Sequence, residues 1–169
     1  STLYIRLYPN ELLFNQANDE AEYRALVKLE HSLFEMDENG RLIAKVDSAT
    51  NIIKLGKNEK DRSAYLTSLL LPIPEGKKCF AWFTNRKNGN VCYILELGEN
   101  KQIFDIRIVN CCFNTSLSYG TIFYGTFFNC LSNIFFSIED IFLYKGKNVS
   151  TYIWIKKLEL FNQIMNIDI

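Results

Sequence analysis

Apolar and polar positions change their rhythm along this chain. Thr2 to Leu7 alternate as a short strand that stops at Pro9. From Asp19 to Met36, Ala21, Leu26, Leu29 and Leu33 recur near helical spacing. Acidic residues crowd the start of that segment, where the positive end of a helix dipole favours them. Asn39-Gly40 is a strong turn signal and leads into RLIAKVDSATNIIKL, which reads as a hairpin. The run from Lys57 to Leu71 predicts a second helix, stopped by Pro72 and Pro74. Strand patterns then follow one another: Lys78 to Thr84, VCYILEL, QIFDIRIVNCCF, and two more around Tyr124 and Ile138. The last segment, Thr151 to Met165, returns to helical spacing at Leu158, Phe161 and Met165. These elements predict one α+β domain over 1–169: a mostly antiparallel sheet with helices from the N-terminal part and the C-terminus packed on it.

Composition narrows the partners. At 169 residues and 48% hydrophobic, the chain can bury a core of its own. Lys plus Arg equals Asp plus Glu at 19 each, so no global charge steers it to nucleic acid or membrane, and any basic patch has to be local. Lys and Asn interrupt every apolar run before the ~18 residues of a membrane span, so no membrane partner is expected. The start, STLYIRLYPNELL, lacks a basic flank followed by a continuous apolar core, so no signal peptide is expected. Cys79, Cys92, Cys111, Cys112 and Cys130 are odd in number and show no C-x-x-C pair, which reads as free buried thiols in a reducing, cytoplasmic or other intracellular setting. Asn114-Thr-Ser and Asn148-Val-Ser match the glycosylation pattern and, without a secretion signal, read as chance matches. Richness in Asn, Ile, Lys and Phe is what an AT-rich genome produces, a large DNA virus being one such source.

The most informative stretch runs from Leu117 to Leu160. A strand carries Gly120-Thr121 and then Tyr124-Gly125-Thr126; the next ends in Glu139-Asp140, followed by a turn at Lys145-Gly146-Lys147 and a helix start. That order resembles the covalent nucleotidyltransferase fold of mRNA capping guanylyltransferases and ATP-dependent ligases. There a strand with Gly-Thr and Asp-Gly-Glu precedes a strand ending in Asp, a Gly turn and a helix. The resemblance implies a lysine nucleophile in a K-x-D-G-x-R pattern, attacking the α-phosphate as an unprotonated amine, with carboxylates for metal and ribose. Ile73-Pro74-Glu75-Gly76-Lys77-Lys78 is the best match, and it puts Ile73, which has no amine, at the nucleophile position. Lys45-Val46-Asp47-Ser48 is a competing match with a lysine, but it lies far ahead of the Gly120-Thr121 strand. Asp-Gly-Glu is replaced by Tyr124-Gly125-Thr126, and the family's later E-G and K-x-K strands would fall after Ile169.

Two constellations remain. Asp140 holds the place where the resemblance implies an acidic residue near nucleotide and metal, and Glu139 stands beside it; two carboxylates alone hold Mg²⁺ weakly. The alternative is that the pair only ends a strand at the solvent edge. Lys77, Lys78, Trp82, Arg86 and Lys87, with Lys145 and Lys147, form a basic and aromatic set that could stack a base and neutralise phosphate. Pro74-Glu75-Gly76-Lys77-Lys78-Cys79 before an apolar strand also looks like the cap-binding domain of snurportin, a capping-enzyme relative without catalysis. Against this, FAWF reads as a central strand with Trp82 in the core, and Arg86-Lys87 as a solvated turn. The expectation is therefore a non-catalytic nucleotidyltransferase-like domain with no cofactor, acting as a binding or assembly subunit in viral mRNA capping or a virion. A protein partner is the first expectation. An RNA- or mRNA cap-binding module is the second reading, and a fragment of an active capping enzyme or ligase the third.

Overall fold

The computed structural model describes residues 4–12, 34–36, 38, 42–44, 75–86, 89–98 and 102–169. Its main sheet contains β1 (Tyr4–Pro9), β4 (Lys77–Arg86), β5 (Gly89–Leu97), β6 (Ile103–Asn110), β7 (Thr121–Cys130), β8 (Asn133–Tyr144) and β9 (Lys147–Asn148), in the order β1-β6-β5-β4-β7-β8-β9. β1 also pairs with β8, so six strands close into a ring, antiparallel throughout. The closing strand is shared: Tyr4 to Leu7 pair with β8, while Tyr8 and Pro9 pair with β6. Pro9 has no N–H to offer and ends the strand.

Closure explains the core. Ile5 and Leu7 of β1, Ala81 and Phe83 of β4, Ile94 of β5, Val109 of β6, Phe123 of β7 and Ile138 of β8 belong to one buried cluster. All six strands contribute, so this is the inner face of the closed sheet. The alternate residues of β4 to β8, among them Phe80, Trp82, Tyr93, Tyr124 and Phe142, form a second buried cluster on the opposite face. Runs such as CFAWF are apolar at every position because both faces of these strands are buried. Each fully buried Phe, Leu, Ile or Val contributes about 1.5–3 kcal/mol relative to exposure.

The C-terminal helix α1 (Trp154–Gln163) sets Trp154, Phe161 and, one turn on, Ile164 against the inner cluster. A wider helical turn over Ile164–Asp168 ends the chain against the sheet. This matches the helix expected over 151–165. The rest of the α+β expectation is overturned: of the described residues 58% are strand and 20% helical, with one short α-helix, so the fold is sheet-rich. Among them, the closed sheet buries its inner face with α1 packed against it. The helix expected to reach Met36 also fails at its end, where β2 (Phe34–Met36) pairs antiparallel with β3 (Leu42–Ala44). The turn signal at Asn39-Gly40 thus falls between two strands, as turn chemistry favours. The expected helical positions 19–33 and 57–71, and the rest of the hairpin to Leu55, lie outside the described residues. Among the described residues no helix is long and apolar enough to cross a membrane.

Candidate functional site

β7 and β8 pair antiparallel, with Tyr124 opposite Asp140 and Gly125 opposite Ile138, which leaves Glu139 as an extra residue on β8. Such a bulge re-aims side chains. Glu139 and Asp140, adjacent in sequence, consequently serve different partners. Lys78 Nζ donates to Glu139 Oε1 at 2.7 Å and to Thr126 Oγ1 at 2.8 Å. The Thr126 hydroxyl in turn donates to Glu139 Oε2. Asp140 Oδ1 accepts from Lys157 Nζ of α1 at 2.7 Å and from the Ile141 N–H at 2.8 Å. Both Asp140 and Lys157 are completely buried. The carboxylate pair is therefore interior, and the reading of a solvent-edge strand end is corrected.

Lys78 and Thr126, two places singled out by the resemblance, thus meet Glu139, the neighbour of Asp140, across long stretches of sequence. Each carboxylate already holds an ammonium group where a metal would need a vacancy. Among the described residues no three His, Cys, Asp or Glu side chains gather as metal ligands. Tyr124 lies under Lys78, whose Nζ is 6.0 Å from the ring centre. Phe80 packs 5.6 Å from Tyr124 and 5.9 Å from Phe142, so aromatic rings fill this part of the sheet.

Among the described residues, Lys77, Lys78, Trp82, Lys145 and Lys147 of the basic and aromatic set do not form one surface. Lys77 is exposed and pairs with Glu96 at 3.5 Å. Trp82 is buried, stacked on Tyr93 with ring centres 5.2 Å apart, and presents no ring to a ligand. Arg86 ends β4, and Lys87, Lys45 and Ile73 lie outside the described residues. Lys78 stands opposite Thr126, whereas the Lys145 N–H donates to Thr121, opposite Phe83. Five residues of strand, ~17 Å at ~3.3–3.4 Å each, therefore separate the Lys78 end from the Lys145 end.

At that second end, Lys145 and Gly146 both have positive φ, 50° and 86°, in a two-residue turn closed by the Tyr144–Lys147 pair. Lys145 Nζ lies 2.9 Å from Asp168, which also accepts from Tyr144 Oη at 2.5 Å. Burial, and then the bond to Asp168, raise the Tyr144 hydroxyl's pKa. Burial is the largest single influence on Lys145 and opposes its charge, but Asp168 and Tyr144 together outweigh it and raise its pKa. Lys147 Nζ and Lys156 Nζ sit 5.5 and 5.8 Å from the Tyr152 ring centre.

Residue-type reasoning missed Lys157, Asp168, Tyr152 and Lys156. Lys157 left a signal: it occupies the stripe of Trp154, Phe161 and Ile164, and a cation on a buried stripe implies a buried anion. Of the five cysteines, Cys79 and Cys92 are buried as expected, but Cys112 and Cys130 are exposed. Both glycosylation-like motifs form local turns, with Asn114 Oδ1 accepting from the Ser116 N–H and Asn148 Oδ1 from the Ser150 N–H, each at 2.9 Å. No protein-family model matches this chain, and no curated protein or solved structure matches it significantly.

Proposed function

We propose that this chain is a relative of the covalent nucleotidyltransferases that has lost the covalent chemistry and serves as a binding or assembly subunit. One observation carries the reading: Asp140, at the motif place, and Glu139 beside it are neutralised from inside the protein, Asp140 by Lys157 and Glu139 by Lys78. A catalytic carboxylate has to be available to metal or substrate. A buried ion pair with both partners at zero exposure serves structure instead. The buried rings of Phe80 and Tyr124 support the same reading, since a nucleotide needs a concave surface with polar groups converging on it.

Incubation with labelled GTP or ATP and Mg²⁺ tests it. The expected result is no acid-stable, lysine-linked nucleotide. A stoichiometric adduct abolished by Lys45→Ala would identify an active transferase and remove this reading. The second reading, a nucleic-acid-binding module, loses Trp82 as a stacking ring because it is buried. It gains support from Lys147 and Lys156, which no internal carboxylate neutralises among the described residues.

A further inference from the structure

Residues 141–158 carry Lys145, Lys147, Lys156 and Lys157 and no Asp or Glu, in a chain whose charges balance overall. The fold uses two of these four cations internally, Lys145 on Asp168 and Lys157 on Asp140. The other two are exposed and converge on one aromatic ring, that of Tyr152. Like charges so placed repel, and a cation–π attraction holds each to the half-buried ring. An external anion would bind to both and relieve the repulsion.

A second exposed aromatic residue, Tyr119, has its backbone beside the turn that carries Lys147. The 3₁₀ turn Thr115–Tyr119 ends at Gly120, whose carbonyl accepts the Gly146 N–H at 2.8 Å. That bond holds the backbone of Tyr119 against the turn that carries Lys147, and a Cβ on Gly146 would stand 3.3 Å from the Tyr119 carbonyl. Tyr119 is 71% exposed, high for an aromatic ring whose backbone is so fixed. The surface thus offers two cations, a half-buried ring between them and an open ring one strand connection away.

We infer that this surface binds a single-stranded nucleic acid, with a phosphate between Lys147 and Lys156 and a base stacked on Tyr119. Phosphate repeats along such a strand at the same scale as its bases, so paired cations and flat rings suit it together. A lipid surface suits it less. The outward face of α1 carries Lys156, Glu159, Asn162 and Gln163, and the exposed Ile155, with Ile153 just before the helix, is a small apolar area for immersion. The inference rests on the non-catalytic reading, yet it fails separately: a lysine-linked nucleotide adduct removes that reading, whereas the binding measurements below remove only this one.

The test is fluorescence anisotropy of labelled oligo(U) and oligo(dT) of about 12 nucleotides, within the ~4–16 nucleotides of comparable sites. The full chain should bind both, more tightly at about 50 mM than at about 200 mM salt. The double variant Lys147→Ala/Lys156→Ala should weaken binding about tenfold or more and lower the salt slope by about 0.7, the value for one phosphate. Tyr119→Ala should weaken it about fivefold or more with the salt slope unchanged. Lys77→Ala, at the other end of the sheet, should leave binding intact. All four side chains are exposed, so folding is not at stake, and circular dichroism confirms it. Absence of binding at low salt overturns the inference, as does binding indifferent to both the lysine pair and Tyr119. Lysine-dependent binding to phosphatidylserine-containing vesicles but not to oligonucleotide also overturns it, in favour of a lipid partner.

Discussion

Lys157 Nζ lies 2.7 Å from Asp140 Oδ1, and neither side chain has any solvent exposure. The pair joins the only α-helix among the described residues to the strand that carries the motif carboxylates. Phe142 adds a ring 5.5 Å from the same ammonium group. In such a setting attraction is strong, but both groups have given up hydration worth several kcal/mol each.

Removing one partner should therefore be worse than removing both. Lys157→Met or Asp140→Leu alone is expected to destabilise the chain by about 3–5 kcal/mol, because a buried charge is left uncompensated. The double substitution should recover most of that loss. Urea unfolding of the four proteins measures the coupling. Single variants within about 1 kcal/mol of the parent would show that the pair is not buried in solution.

Gly125 should tolerate nothing larger. A Cβ there would stand 1.7 Å from the Ser137 carbonyl oxygen, a backbone atom of the neighbouring strand that cannot swing aside. Gly125→Ala is expected to cost at least the ~1–3 kcal/mol typical of overpacking, read as a lower urea midpoint. Gly89→Ala provides the contrast: its φ of +137° opposes a side chain, yet no heavy atom lies within 4 Å. A Gly125→Ala protein as stable as the parent would contradict the β7–β8 register.

The antiparallel pairing of β7 with β8 was legible in the sequence, and other parts were not. LSYGTIFYGTFF and NIFFSIEDIFLY are apolar on both faces, which identifies interior strands, and a short turn between them permits only antiparallel pairing. The ring closure was hidden, because the alternation from Thr2 to Leu7 marks a strand without saying which two neighbours it joins. The bulge at Glu139 was hidden as well, since one extra residue leaves no trace in composition. It decides the site, because it gives Glu139 to Lys78 and Asp140 to Lys157. Phe80 and Tyr124 are buried together in the outer cluster, whereas Phe136 belongs to the opposite, inner cluster. Lys145 and Lys147 could be found from their turn, but their different fates depend on Asp168 and Tyr152, which reach them only through the fold.

Alkaline pH should unfold the protein through its buried thiols. Burial, with Glu96 adding to it, pushes Cys79 from 9.0 up to about 12. Between those values the folded chain keeps a proton that the unfolded chain has lost, so stability falls as pH rises through the window. One such group gives a slope approaching 1.4 kcal/mol per pH unit. Cys92, raised by burial and by Cys111, acts in the same direction. Cys79→Ala should remove about one proton's worth of the slope between pH 9 and 11. Urea midpoints at several pH values measure it, and an unchanged slope in the variant would show that Cys79 is accessible.

Trp82 and Lys78 discriminate between a structural cluster and a ligand site. Trp82 is 4% exposed and stacks on Tyr93 at 5.2 Å, so Trp82→Ala opens a cavity and should cost about 3–5 kcal/mol. Lys78 leans on Tyr124 and ties Thr126 to Glu139, whose side chain is only 6% exposed. Its replacement by methionine leaves a buried carboxylate with one donor and should cost about 1–3 kcal/mol. Neither change should alter nucleotide affinity, because none is expected: isothermal titration with GTP, ATP and a methylated cap analogue should show no heat of binding. Micromolar binding that disappears in Trp82→Ala or Lys78→Met, at a temperature where the variant remains folded, would reverse this. It would mean that the aromatic face of β4 opens in solution and takes up a base or a cap.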